Sequence, residues 1–138
     1  MTAEKIAYLA IKYHPDHKNR TLIEEISIAC QKSGYSCFCV ARDVEKWGEV
    51  VLTSEELMKR AFLEIKRAAF VLIDYSEKGV GIGIEAGYAF AHGIPIVVIY
   101  PSGAELSNTL SGIITARFEY KNIHEITEFL INIQFIKK

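Results

Sequence analysis

Residues 70–100 read Phe70-Val71-Leu72-Ile73-Asp74-Tyr75-Ser76-Glu77-Lys78-Gly79-Val80-Gly81-Ile82-Gly83-Ile84-Glu85-Ala86-Gly87-Tyr88-Ala89-Phe90-Ala91-His92-Gly93-Ile94-Pro95-Ile96-Val97-Val98-Ile99-Tyr100. An apolar run at 70–73 predicts a strand. The alanine-rich stretch 82–92 predicts a helix, and 94–100 a second strand whose Pro95 is tolerable near its start. The two strands do not alternate between apolar and polar residues. Such strands are buried on both faces, as in a parallel sheet with helices above and below.

The same alternation extends in both directions. Residues 6–11 predict a first strand, and Leu22, Ile23, Ile26, Ala29 and Cys30 recur at helical spacing. Residues 35–40 predict a second strand, followed by a helical stripe of Leu57, Met58, Ala61, Phe62, Ile65 and Ala68. A short helix over 104–113, a fifth strand over 117–120 and a closing helix marked by Ile126, Phe129, Leu130 and Ile133 complete the pattern. Thr21-x-x-Glu24, Thr53-x-x-Glu56 and Ser102-x-x-Glu105 each fit a capping box at an expected helix start. The expectation is one α/β domain over 1–138: a three-layer α/β/α, doubly wound, five-stranded parallel sheet in the flavodoxin-like order 2-1-3-4-5. Residues 41–52 form the longest irregular stretch, a length often tied to function.

The 138 residues suffice for one domain, and half of them are hydrophobic. Lys plus Arg is 16 and Asp plus Glu is 17, a net charge of −1 that argues against a nucleic-acid coat. No apolar run approaches the roughly 20 residues of a membrane helix, and the opening residues lack a signal-peptide core. Cys30, Cys37 and Cys39 are an odd count with no partner Cys or His pair. They are expected as buried free thiols in a reducing cytoplasm, and a zinc site is not expected.

In this order of strands, ligands bind beyond the carboxyl ends of strands one and three. Five of the nine residues Lys12-Tyr13-His14-Pro15-Asp16-His17-Lys18-Asn19-Arg20 are Lys, His or Arg, and they run into a helix N-terminus. Amides, helix dipole and the side chains of Lys12, His14 and Arg20 together suit a phosphate. After strand three, Asp74, Tyr75 and Ser76 precede Gly79, Gly81 and Gly83, which admit a ligand close to the backbone. Gly81-x-Gly83-x-x-Ala86 formally matches a dinucleotide fingerprint, but it follows the third strand rather than the first. No cofactor and no metal are therefore expected. Glu85 is predicted in the first helical turn, facing the crevice, where a carboxylate serves as nucleophile or acid/base. Trp47, in the irregular stretch, is a candidate for stacking on a base or for loop packing. His92 reads as a helix C-cap, and no Gly-x-Ser-x-Gly elbow supports a serine hydrolase.

At these residues the chain resembles the nucleoside 2-deoxyribosyltransferase superfamily, more closely its 2'-deoxynucleoside 5'-phosphate N-hydrolase branch. Three stretches carry the likeness: Ile6-Ala7-Tyr8-Leu9-Ala10; residues 81–89 with Gly93-Ile94-Pro95-Ile96; and Leu106-Ser107-x-x-Leu110-x-Gly112. The resemblance implies that Glu85 attacks the anomeric carbon of the sugar and that Tyr8 holds its carboxylate. It implies Asp74 beside the sugar or leaving group, a 5'-phosphate on the basic loop, and Ser107 arriving from a second subunit of a homodimer or larger homo-oligomer. The implied activity is hydrolysis of a (deoxy)nucleoside 5'-monophosphate. The alternatives are base exchange between nucleosides and a nucleotide-binding module without catalysis; no nucleic acid or membrane partner is implied. The sequence departs from the family where an aspartate usually stands 24 to 26 positions before the glutamate. Those positions are Lys59, Arg60 and Ala61; Glu64, one turn further along the predicted helix, and Asp43 or Glu45 from the irregular stretch are the carboxylates offered in its place.

Overall fold

A computed structural model describes residues 5–133; the opening Met1-Thr2-Ala3-Glu4, read above for a targeting signal, lies outside them. The strands are β1 (Ile6–Ala10), β2 (Ser36–Phe38), β3 (Phe70–Asp74), β4 (Ile96–Pro101) and β5 (Ala116–Tyr120). The helices are α1 (Arg20–Lys32), α2 (Val40–Asp43), α3 (Ser54–Arg67), α4 (Val80–Ala91), α5 (Asn108–Ser111) and α6 (His124–Asn132), with a 3-10 turn at Lys46–Gly48. The five strands form one parallel sheet in the order β2-β1-β3-β4-β5, as the unbroken apolar strands require. All five residues of β3, the central strand, are buried.

Successive strand residues point to opposite faces, so the sheet feeds two cores. Ala7, Leu9, Phe70, Leu72, Val97 and Ile99 meet α1 and α6 through Ile23, Ile26, Ile126 and Leu130. Tyr8, Ala10, Val71, Ile73, Ile96 and Val98 meet α3 and α4 through Ala61, Ile65, Ile82 and Ala86. Each core is a sheet face against a pair of helices, the three-layer arrangement expected of alternating β and α segments. No helix among the described residues is long and apolar enough to cross a membrane. The three cysteines are free thiols; Cys30 and Cys39 are buried, whereas Cys37 is only partly so.

Local details differ from the sequence expectations. Thr53 forms its capping box with Glu56 at the start of α3, at 3.1 and 3.0 Å. Thr21 does not cap: α1 begins one residue earlier, behind Asn19. Ser102 does not cap either, because Gly103 turns the chain at a φ of 92° and the Ser102 hydroxyl bonds Glu119 at 3.2 Å instead. The helix expected over 104–113 is reduced to α5, capped by Ser107, whose hydroxyl accepts from the Leu110 amide at 3.4 Å. Residues 41–52 are less irregular than expected, since they hold most of α2 and the 3-10 turn.

Candidate active site

The reversal of strand order between β1 and β3 opens a cavity of about 450 Å³ beyond their carboxyl ends. Its volume falls in the range of small-molecule sites. β1 contributes Tyr8 and Leu9, followed by Ile11, Lys12 and His14 from the loop after it. Gly79, Val80, Gly81, Ile82 and Glu85 come from the start of α4, and Val40, Leu57, Met58 and Ala61 build an apolar wall from α2 and α3.

Glu85 is the sixth residue of α4, not part of its first turn. The chain passes from extended Gly79 straight into the helix at Val80, two residues earlier than the apolar spacing indicated. The helix dipole acts within the first turn, so it does little for Glu85. Burial governs instead and pushes the carboxyl up to about 7, opposed by a hydrogen bond from Tyr8. The Tyr8 hydroxyl, on a side chain with no solvent exposure, donates to Glu85 Oε2. Burial and the adjacent carboxylate hold that phenol above its ordinary pKa, so it remains a donor. Glu85 thus titrates near neutrality in a fixed orientation, the state a nucleophile or acid/base needs.

Two helix ends open on the same cavity without side-chain caps. Asn19 precedes α1 but spends its amide on the Lys12 carbonyl, at 2.9 Å, instead of on the helix. Gly79 precedes α4 and has no side chain to offer. First-turn amides left in this way attract an anion. A Cβ built at Gly81 would meet nothing within 4 Å, so that stretch of backbone is open to a ligand. Lys12 Nζ reaches the Lys78 carbonyl at 3.2 Å. His14 Nε2 lies 2.6 Å from Glu77 Oε2 and fastens the loop after β1 to the loop after β3. Glu77 carried no sequence signal, because its partner lies 63 positions away.

The remaining candidates lie elsewhere. Asp74 is buried, accepts from the Ser76 amide at 2.9 Å and the Tyr120 hydroxyl at 3.1 Å, and does not line the cavity. Burial raises its carboxyl above the usual range despite those bonds. Ser76, Gly83 and Ser107 are also outside the cavity wall. Arg20 and Trp47 pack on each other, the guanidinium 4.5 Å from the indole centroid, and neither lines the cavity. Of the residues singled out in the sequence, Tyr8, Glu85, Lys12, His14, Gly79 and Gly81 come together at the cavity, and Asp74, Ser76, Gly83, Ser107, Arg20 and Trp47 do not line it. Sequence reading misses the apolar wall of Val40, Leu57 and Met58, whose spacing signals only a helix face packed on the core.

Of the three carboxylates offered for the missing aspartate, two are committed. Glu64 is held by Arg60 at 3.3 Å and Arg67 at 2.9 Å. Asp43 accepts from the Cys39 amide at 2.9 Å and from Arg42 at 3.0 Å. Glu45 lines the cavity, as does Ala61.

No family model and no curated protein matches the chain in sequence. Solved structures do match. A 2-deoxyribosyltransferase from the psychrotolerant bacterium Bacillus psychrosaccharolyticus has a TM-score of 0.74 at 18% identity, over 94% of this chain and 93% of that one. A Clostridium botulinum CMP N-glycosidase has a TM-score of 0.64 at 19% identity, over 91% and 98% of the two chains. A conserved protein from Enterococcus faecalis V583 follows at 0.63 and 14%, over 93% and 98%. At these identities the likeness is one of fold: the chain has the three-layer α/β/α fold of these proteins, in a similar length of chain.

Proposed function

We propose that the protein is an N-glycosidase acting on a (deoxy)nucleoside 5'-monophosphate, releasing free base and sugar phosphate through a covalent glycosyl intermediate on Glu85. The observation that carries the reading is the Tyr8–Glu85 pair at the wall of the switch-point cavity. A carboxylate with a pKa near 7, oriented by a buried phenol, suits attack on an anomeric carbon. The C1'–N bond breaks as the Glu85 oxygen bonds to C1', and water then cleaves the ester in a second step. Two uncapped helix ends with Lys12 and His14 suit the 5'-phosphate, and the apolar wall suits the base. Two structural neighbours, by their names a 2-deoxyribosyltransferase and a CMP N-glycosidase, favour the same class of chemistry.

In this reading Asp74 sits behind the site. Ser107, which does not line the cavity of its own chain, is proposed to act in a second copy, as the resemblance implies. The three free thiols favour a cytoplasmic setting.

The test is base release from a panel of ribo- and deoxyribonucleoside 5'-monophosphates and the matching nucleosides, followed by chromatography. The expected result is release from monophosphates that Glu85→Ala abolishes. Saturable binding without release would favour the nucleotide-binding module, a reading supported by Ala61 in the cavity wall where the resembling family places a carboxylate. Sugar transfer to an added base without need of phosphate would favour base exchange.

A further inference from the structure

The proposed reaction needs a second group. A base leaving a sugar carries negative charge unless it is protonated as the bond breaks, and a lone nucleophile does nothing for that charge. Among the described residues that line the cavity, the carboxylates are Glu85 and Glu45. Glu85 is committed to the sugar and to Tyr8. Glu45 lies between α2 and the 3-10 turn, and no described residue hydrogen-bonds its carboxylate.

Its backbone is fixed by the hydrogen bonds around it. The Glu45 amide donates to the Val40 carbonyl at 3.0 Å, and its own carbonyl accepts from Gly48 at 2.9 Å and Val50 at 3.0 Å. The next three residues have positive φ: Lys46 at 48°, Trp47 at 57° and Gly48 at 93°. The first two are unusual for residues with a Cβ, and such conformations persist only where the surroundings enforce them. Here the clamp is visible. Trp47 lies between the Arg20 guanidinium, at 4.5 Å, and the His17 ring, at 5.7 Å. A Cβ at Gly48 would stand 3.3 Å from His17 Cε1. His17 itself has a φ of 54°, so the described non-glycine residues with positive φ are the contacting pair His17 and Trp47 and the neighbouring Lys46. The strained contact fixes the segment that carries Glu45 against the loop after β1.

We infer that Glu45 is the general acid of the site, donating a proton to the departing base and recovering one from the water that cleaves the glycosyl–Glu85 ester. This rests on the reading of Glu85 as nucleophile. The balance is complete. In the first step C1'–N breaks, Glu85 Oε bonds to C1', and the Glu45 proton passes to the base, leaving Glu45 ionised. In the second, water adds to C1', the ester breaks, Glu85 is restored as carboxylate, and the water proton returns to Glu45. The sum is nucleotide plus water to base plus sugar phosphate.

The other titratable groups that line the cavity with Glu45 are Tyr8, Lys12, Tyr13, His14, His17, Cys39 and Glu85. Burial raises the Glu45 carboxyl above its ordinary value, and His17 counteracts.

The experiment compares Glu45→Gln with wild type on two substrates: a nucleoside 5'-monophosphate that the wild type cleaves, and a 4-nitrophenyl 2-deoxyriboside 5-phosphate, whose leaving group departs as an anion. The expected result is a loss of roughly 100-fold or more in kcat/KM on the nucleotide, within the range for a missing acid, and little loss on the nitrophenyl compound. Circular dichroism checks the fold of the variant. Equal loss on both substrates, or unchanged activity on the nucleotide while Glu85→Gln is inactive, would overturn the role of Glu45 and leave that of Glu85 standing. A wild-type protein that releases no base from any nucleotide overturns both.

Discussion

The hydroxyl of Tyr8 and the carboxylate of Glu85 are hydrogen-bonded across 77 positions of sequence. β1 buries the phenol beneath α4, and α4 carries the carboxylate over it in its second turn. The bond opposes the burial that raises the Glu85 pKa, and it holds one carboxylate oxygen, Oε2.

Tyr8→Phe keeps the ring that packs on Phe38, with centroids 5.7 Å apart, and removes only the donor. Glu85 then loses the contribution that lowers its pKa. A hydrogen bond of about 1–1.5 kcal/mol corresponds to about one pH unit, so the rising limb of kcat/KM moves from near 7 toward 8. A pH–rate profile of the variant checks this, and an unmoved limb would contradict the pairing.

Glu85→Gln stabilises the protein at alkaline pH. The folded carboxyl titrates at about 7 against 4.5 unperturbed, so the native state holds the proton more tightly. Below 4.5 both states are protonated and there is no penalty. Between 4.5 and 7 the unfolded chain sheds its proton first, and stability falls as pH rises. Above 7 the full cost applies, at most about 3 kcal/mol and less in proportion to the solvent that reaches the group. Denaturant melts at pH 5 and pH 8 should show the variant near wild type at the first and above it at the second.

Lys12→Ala weakens recognition of the phosphate more than the chemistry. One charge-assisted hydrogen bond is worth about 1.5–3 kcal/mol, so KM for a nucleoside 5'-monophosphate rises roughly 10- to 100-fold with a smaller change in kcat. The matching nucleoside, which lacks the phosphate, is processed almost as by wild type. Steady-state kinetics on the two substrates separate the effects.

The sheet order was legible because apolar runs of strand length alternate with helical spacing, and 70–100 alone specifies a buried βαβ unit. Glu85 was legible from its place after the third strand. Its turn within the helix was not: Val80 and Gly81 carry no signal that separates the last of a loop from the first of a helix. Asp74 and Ser76 stand at the strand end that suggests a site, yet Tyr120 of β5 engages both, at 3.1 Å for Asp74 and 3.3 Å for Ser76. That pairing depends on two strands closing together in space. Trp47 could be read as base-stacking or as packing, and the structure packs it against Arg20. The Thr21 cap expected for α1 failed because the helix already begins at Arg20, and Asn19, which precedes it, serves the loop after β1 and leaves the helix end uncapped.

The most direct measurement is the intact mass of the protein quenched in acid during turnover of a nucleoside 5'-monophosphate, followed by peptide mapping. The account predicts an added sugar-phosphate mass on the peptide that contains Glu85, present in wild type and absent in Glu85→Gln, which also releases no base. Base release by Glu85→Gln at the wild-type rate, with no adduct on either protein, would contradict it.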